Sequence, residues 1–171
     1  VLYLSTFSKA LFPGLRIGYL VVPPVVLRQL ALAKQGADLH ANTFSQYLLE
    51  RFVREGHFAT HIEKSKKVYS RRRDRMTAAL RRDESIGLEF DVPNGGFNIW
   101  CRLPEGVEQS ALLANAAARG VVVLPGRACY PTEPTENCLR LNFSHASEEE
   151  IDIGIERFLE SVREAKVWGR V

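Results

Sequence analysis

Apolar residues recur at helical spacing over several stretches of the chain and alternate with polar residues over several shorter ones. Phe44, Leu48, Leu49, Phe52 and Val53 mark one helical face, which stops at Gly56. A longer helix is predicted over residues 58–82, with Phe58, Ile62, Tyr69, Met76 and Leu80 as its apolar stripe. Leu112, Leu113, Ala116 and Ala117 give residues 109–119 an inward face. Ile151, Ile155, Phe158, Leu159 and Val162 do the same for the last helix, which Ser147 opens as cap with Glu150 as its capping-box partner. Pro23 and Pro24 precede one more helical pattern over residues 25–34. The loop after it ends in the candidate caps Asn42 and Thr43.

The strand patterns are shorter. Leu88, Phe90 and Val92 alternate, a Pro-Asn-Gly-Gly turn follows, and Phe97, Ile99, Cys101 and Leu103 then share one face. Residues 121–124 read as a short buried strand stopped by Pro125 and Gly126, and residues 138–143 as another. Residues 1–4 read as a buried strand, followed by a polar hairpin. From about residue 58 onward the pattern is α+β, a small sheet with helices packed on it.

Composition narrows the functional classes. The chain has 171 residues, 46% of them hydrophobic, enough for one or two cores. A net charge of +3 is too small to imply a nucleic-acid partner by itself. Lys64, Lys66, Lys67, Arg71, Arg72, Arg73 and Arg75 crowd the faces of the 58–82 helix away from its apolar stripe, with no aromatic residues interleaved on those faces, which favours a solvated surface. Cys101, Cys129 and Cys138 are odd in number and lack CxxC spacing, so a reducing, cytoplasmic compartment is expected rather than a disulfide framework. His57 and His61 are spaced as a helical pair but have no acidic motif around them, so no metal site is expected. No apolar run approaches a membrane span. The chain lacks an initiator Met and opens inside a strand pattern, so it is expected to be a fragment of something longer.

Residues 4–22, "LSTFSKALFPGLRIGYLVV", carry the chemistry. One lysine, Lys9, stands between apolar segments with hydroxyls at Thr6 and Ser8, and Arg16 follows a Pro13-Gly14 turn. Alone, such a lysine reads as an edge charge. Two hydroxyls and a guanidinium beside it make a cradle for a dianion, because Arg grips two phosphate oxygens at once. A reactive amine next to a phosphate cradle suits a phosphorylated aldehyde such as pyridoxal phosphate (PLP). No GxxxxGK[ST], no Ser-x-x-Lys and no GxSxG pattern competes. On the strand at residues 138–143, Leu139, Leu141 and Phe143 point one way. Arg140 and Asn142 therefore point the other. Arg140 is either an exposed edge charge or a fork for a carboxylate.

"TFSKALFPGLRIGY" resembles the Schiff-base segment of the fold type I PLP-dependent aminotransferases of class I/II, [ST]-x-S-K-x-x-x-P-G-x-R-x-G. "AKQGADLHANTFSQ" and "PNGGFNIWCRLP" are similar to the aminoadipate and kynurenine aminotransferase subgroup and to regulators of the MocR/GntR type. "VVLPG" and "CLRLNF" extend the likeness along the whole chain. The sequence departs from the subgroup at Asn98, where an aromatic residue is usual. The resemblance implies that Lys9 is the PLP lysine, that Thr6, Ser8 and Arg16 hold its phosphate, and that Arg140 binds the substrate α-carboxylate. It implies a homodimer with composite sites. It also places the acid for the pyridine nitrogen and the ring-stacking residue upstream of Lys9. Residues 1–57 would then be the tail of the large cofactor-binding domain, and residues 58–171 the linking helix and small domain. The 171-residue chain alone is expected to be inactive. Two functions follow from the resemblance: an amino-acid aminotransferase, or the effector-sensing part of a MocR/GntR-type transcription regulator that meets DNA only through a domain upstream. A degenerate scaffold is the third possibility, which intact Lys9, Arg16 and Arg140 speak against.

Overall fold

A computed structural model of the chain describes residues 1–132 and 136–166. The chain forms two compact units, Val1–Ser65 and Lys66–Val171.

The first unit opens with a hairpin. Strand β1 (Tyr3–Thr6) pairs antiparallel with β2 (Gly18–Val21), with Thr6 opposite Gly18 and Tyr3 opposite Val21. Glycine allows a close approach at that register: a Cβ on Gly18 would lie 3.0 Å from the Ser5 carbonyl oxygen, so the neighbouring strand would have to shift by a few tenths of an ångström. The Phe7 N–H donates to the Ile17 carbonyl at 3.0 Å and extends the ladder by one step. This corrects the expected strand over residues 1–4. The pairing begins two residues later and is not buried: Leu4 is 75% exposed. Helix α1 (Pro24–Asp38) starts with proline in its first turn, where no donor is lost. It runs four residues past Lys34, through Gly36, with a Lys34–Asp38 ion pair of 2.6 Å closing its last turn. Helix α2 (Thr43–Arg54) is capped by Asn42, whose Oδ1 accepts the Ser45 N–H at 3.0 Å. Leu15, Ile17 and Leu49 are the buried residues at the centre of this unit, with Phe7, Leu11 and Ala41 packed against them.

Helix α3 (His57–Leu80) begins in the first unit and continues into the second. The second unit has a four-stranded antiparallel sheet in the order β3-β4-β6-β5. Its strands are β3 (Glu89–Phe90), β4 (Asn98–Arg102), β5 (Leu124–Pro125) and β6 (Cys138–Asn142). Helix α4 (Gln109–Ala118) and helix α5 (Glu148–Ala165) pack on one face of it with the end of α3. Ile99, Cys101, Leu139 and Leu141 meet Leu80, Leu112, Ile155 and Phe158 in one cluster. Burial there pushes the Cys101 thiol up to about 12, so it behaves as a small hydrophobe. The Ser147–Glu150 capping box forms in both directions.

Two strand expectations change. The strand over residues 88–92 shrinks to Glu89–Phe90. The strand over residues 121–124 moves to Leu124–Pro125, leaving Val122 92% exposed. Gly126 is the reason: a Cβ there would lie 2.6 Å from the Cys138 carbonyl oxygen, so the chain closes on β6 only beside this residue. Pro125 is tolerated because β5 is an edge strand. The basic face of α3 is also more than a solvated surface. Arg75, joined by Arg82 from the turn just after the helix, binds Asp152 of α5, Arg71 Nε reaches Glu148 Oε1 at 3.2 Å, and Arg73 Nη1 donates to the Pro93 carbonyl at 3.1 Å. Hydrogen bonding by Arg75, aided by the charge of Arg82, holds the Asp152 carboxyl below its usual range.

Candidate functional site

In the first unit the β1–β2 hairpin gathers the predicted cradle at one end. Thr6 is the last residue of β1, and its hydroxyl donates to the Ile17 carbonyl at 3.1 Å. The Thr6 oxygen accepts the Ser8 N–H at 3.1 Å, and the Thr6 and Ser8 hydroxyls share a hydrogen bond of 2.9 Å. A turn follows in which the Leu11 N–H donates to the Phe7 carbonyl at 2.8 Å, and Lys9 sits inside that turn with its side chain exposed. The return limb passes through a short 3-10 turn, Pro13–Leu15, to Arg16. Arg16 has φ 53° and ψ 38°, a left-handed conformation that costs a non-glycine residue roughly 1 kcal/mol. Its N–H bonds the Pro13 carbonyl at 3.2 Å, and burial of Leu15 and Ile17 on either side holds the backbone there. The guanidinium makes one long contact, 3.4 Å to the Pro13 carbonyl, and stays exposed. Neither Lys9 nor Arg16 has an ion-pair partner among the described residues.

This geometry fits a phosphorylated aldehyde. The Arg16 guanidinium has no carboxylate partner among the described residues and can donate to a phosphate, the Thr6 and Ser8 hydroxyls can join it by exchanging the hydrogen bonds they make to Ile17 and to each other, and an exposed amine stands within the same loop. Lys9 would hold the aldehyde carbon, while Thr6, Ser8 and Arg16 would hold the phosphate.

In the second unit, the alternation along β6 is as the sequence predicts. Leu139 and Leu141 are buried, whereas Arg140 is half-buried on the opposite face. Arg140 lies opposite Trp100 of β4 and Leu124 of β5. Its side chain makes no hydrogen bond or ion pair among the described residues, so the guanidinium fork is uncommitted. The Trp100 ring lies 6.0 Å from that of Tyr130. One step along the same face Asn98 opposes Asn142, and the Asn142 amide donates to Asn98 Oδ1 at 2.9 Å. The sequence pattern puts Asn142 on the Arg140 side of its strand and Asn98 off the Ile99 face. The bond between them requires the register.

The structure thus brings Thr6 and Ser8 into contact, sets Lys9 and Arg16 in the loop beyond them, and, in the other unit, leaves Arg140 without a hydrogen-bond or ion-pair partner among the described residues. Sequence reasoning missed the amide chain at Asn98 and the arginine straps on α3, whose partners lie about 20 to 77 residues away.

Comparison with known proteins converges on one group. The family model for aminotransferase class I and II matches residues 1–158. The aromatic-amino-acid aminotransferase 1 of Thermococcus litoralis is 42% identical over 164 residues, covering 96% of this chain and 39% of that protein. The uncharacterized HTH-type transcriptional regulator YdfD of Bacillus subtilis is 31% identical over 155 residues, covering 91% of this chain and 32% of that protein. The crystal structure of Pyrococcus horikoshii kynurenine aminotransferase, in complex with PMP, superposes with a TM-score of 0.90 at 40% identity, covering 96% of this chain and 41% of that one. The chain spans about two-fifths of the length of the aminotransferases it matches.

Proposed function

The chain belongs to the aminotransferase class I and II family, and from that premise we propose that its protein transfers an amino group between an amino acid and a 2-oxo acid with PLP as cofactor. The observation that carries the reading is the hairpin end, where the Thr6 and Ser8 hydroxyls meet at 2.9 Å beside the Lys9 turn. PLP, when bound, supplies an electron sink for charge developing at the substrate Cα. Lys9 Nζ holds the cofactor and afterwards moves the proton at that carbon. Thr6 and Ser8 donate to phosphate oxygens, and Arg16 adds a charge-assisted pair. Arg140 grips the substrate α-carboxylate and fixes the Cα–H direction. On this reading residues 1–57 belong to a large cofactor-binding domain, residues 58–171 form a linking helix and small domain, and the working protein is a cytoplasmic homodimer. Among the described residues no helix is long and apolar enough to cross a membrane.

A second reading rests on the regulator similarity. The same unit would then sense PLP or an amino acid for a transcription regulator of the MocR/GntR type. The full-length reading frame separates the two, because a winged helix upstream decides for the regulator.

The test of the enzyme reading is 2-oxo-acid formation by the full-length protein with PLP and glutamate or aminoadipate. Turnover in the wild type is expected, with loss in Lys9→Ala. In Arg140→Lys, amino-acid binding should weaken by about tenfold or more, because lysine keeps the charge and loses the fork. Turnover that survives in Lys9→Ala, or an amino-acid affinity unchanged in Arg140→Lys, would overturn these roles.

A further inference from the structure

We propose that Asn98 is a specificity-determining donor, and that it selects substrates whose side chain ends in a hydrogen-bond acceptor, a carboxylate or amide oxygen, over those ending in hydrocarbon. The inference rests on the aminotransferase reading and on Arg140 as the α-carboxylate site.

The argument is a chain of donors whose direction is fixed at one end. The Ser144 backbone N–H can only donate, and it lies 2.9 Å from Asn142 Oδ1, which also accepts the Ser144 hydroxyl at 2.8 Å. That settles which end of the Asn142 amide is oxygen. Its Nδ2 therefore faces Asn98 and donates to Oδ1 at 2.9 Å. The second amide is thereby oriented too: Asn98 turns its NH2 group away from Asn142. Among the described residues nothing accepts from that Nδ2. A half-buried amide held by its oxygen, with both N–H groups unused, is a preset donor.

Its position matches a substrate side chain. Asn98 and Trp100 are on the same face of β4, and Trp100 is directly opposite Arg140. Asn98 is then diagonal to Arg140, roughly 7–8 Å away in an antiparallel sheet. That is a backbone spacing, short enough for side chains at both positions to reach one small ligand. An aromatic residue at position 98 would fill this place with hydrocarbon. Asparagine puts a donor there.

The test uses the full-length protein and three matched ligands, read by calorimetry: glutarate, glutaramate and pentanoate. All carry one carboxylate for Arg140, and they differ only in the far end. The wild type should bind glutarate and glutaramate about 10- to 100-fold tighter than pentanoate. Asn98→Asp keeps the acceptor for Asn142 but replaces the free donor by a charge, so it should lose the glutarate preference and fall furthest with that ligand. Asn98→Leu should lose the preference for both acceptors together. Ratios that stay within about twofold of the wild type in both variants overturn the proposal, as does a wild type with no acceptor preference. A parallel comparison of kcat/KM for glutamate, glutamine and norleucine keeps the two readings apart. A protein that turns over norleucine but shows no Asn98-dependent ratio refutes only this inference. One that binds the ligands as expected yet transaminates nothing refutes the enzyme reading.

Discussion

The two units handle their apolar residues in opposite ways. Helix α5 buries seven residues, among them Ile151, Phe158 and Val162, against a sheet whose Ile99 and Leu139 are fully enclosed. Helix α1, nearly as long, buries none, and the hairpin strands leave Tyr3, Leu4, Leu20 and Val21 exposed. Yet the first unit holds the lysine and the hydroxyl cradle. Packing and chemistry are therefore separated along this chain. The second unit is a cored scaffold presenting Arg140 and Asn98 on its open sheet face. The first carries the exposed Lys9 turn on a thinly packed hairpin, whose apolar surface is of the kind that seeks a covering neighbour.

The sharpest way to break this contrast is to cut into both cores. Phe158→Ala should cost about 3–5 kcal/mol, because a fully buried ring leaves a cavity between α5 and the sheet. Leu49→Ala, in a cluster of three buried residues, should stay near the low end of the leucine range, about 2 kcal/mol. Urea unfolding with amide exchange resolves the two. Equal losses would show that the first unit packs as well as the second. Next in size is Gly126→Ala, at about 1–3 kcal/mol, since its Cβ would press on the Cys138 backbone. Amide exchange should quicken in β5 and β6 and leave β1 and β2 unchanged. A Gly126→Ala protein of undiminished stability would mean that the close approach to Cys138 does not set the length of the edge strand. Ser147→Ala should cost about 1 kcal/mol through loss of the α5 cap, read as a drop in melting temperature.

The smallest effect separates the units by pH. Asp83 is lowered chiefly by its hydrogen bond with the Ser85 hydroxyl and then by Arg163. Glu150 is lowered chiefly by the Ser147 backbone, and Asp152 by Arg75. Carboxyls depressed on folding contribute stability that is present above their unfolded value and lost as pH falls through the folded one. All three belong to the second unit, so acid should weaken its exchange protection progressively below the ordinary carboxylate range. Asp152→Asn should flatten part of that dependence. An unaltered acid slope in Asp152→Asn would mean that the Arg75–Asp152 strap is a surface pair of no consequence.

How much is legible in the sequence follows the same division. The alternation of Leu139, Leu141 and Phe143, the stripe on α5 and the Ser147 box are readable because burial imposes a period and capping imposes a spacing. They also put Arg140 on the open face. The misplacements fall where something else decides. Residues 121–124 are uniformly apolar, so no period marks the register, and the close approach of Gly126 to Cys138 fixes it instead. The opening strand begins at Tyr3 rather than Val1 because the register puts Val1 level with Pro23, which has no N–H to continue the ladder. Helix α1 outruns its expected end because Gly36 costs less within a helix than a broken helix would. Of the site, the residue types around Lys9 are legible from spacing. The left-handed Arg16 and the direction of the Asn98 amide are not, since both depend on backbone donors that only the fold brings near.

The central claim is that Lys9 is the amine that holds PLP. The direct measurement is borohydride reduction of the full-length protein with PLP, followed by digestion and peptide mapping. The account predicts the pyridoxyl label on the peptide carrying Lys9, and no PLP-linked visible absorption in Lys9→Ala. A label on Lys34 or another lysine, or a Lys9→Ala protein that keeps that absorption, would contradict it.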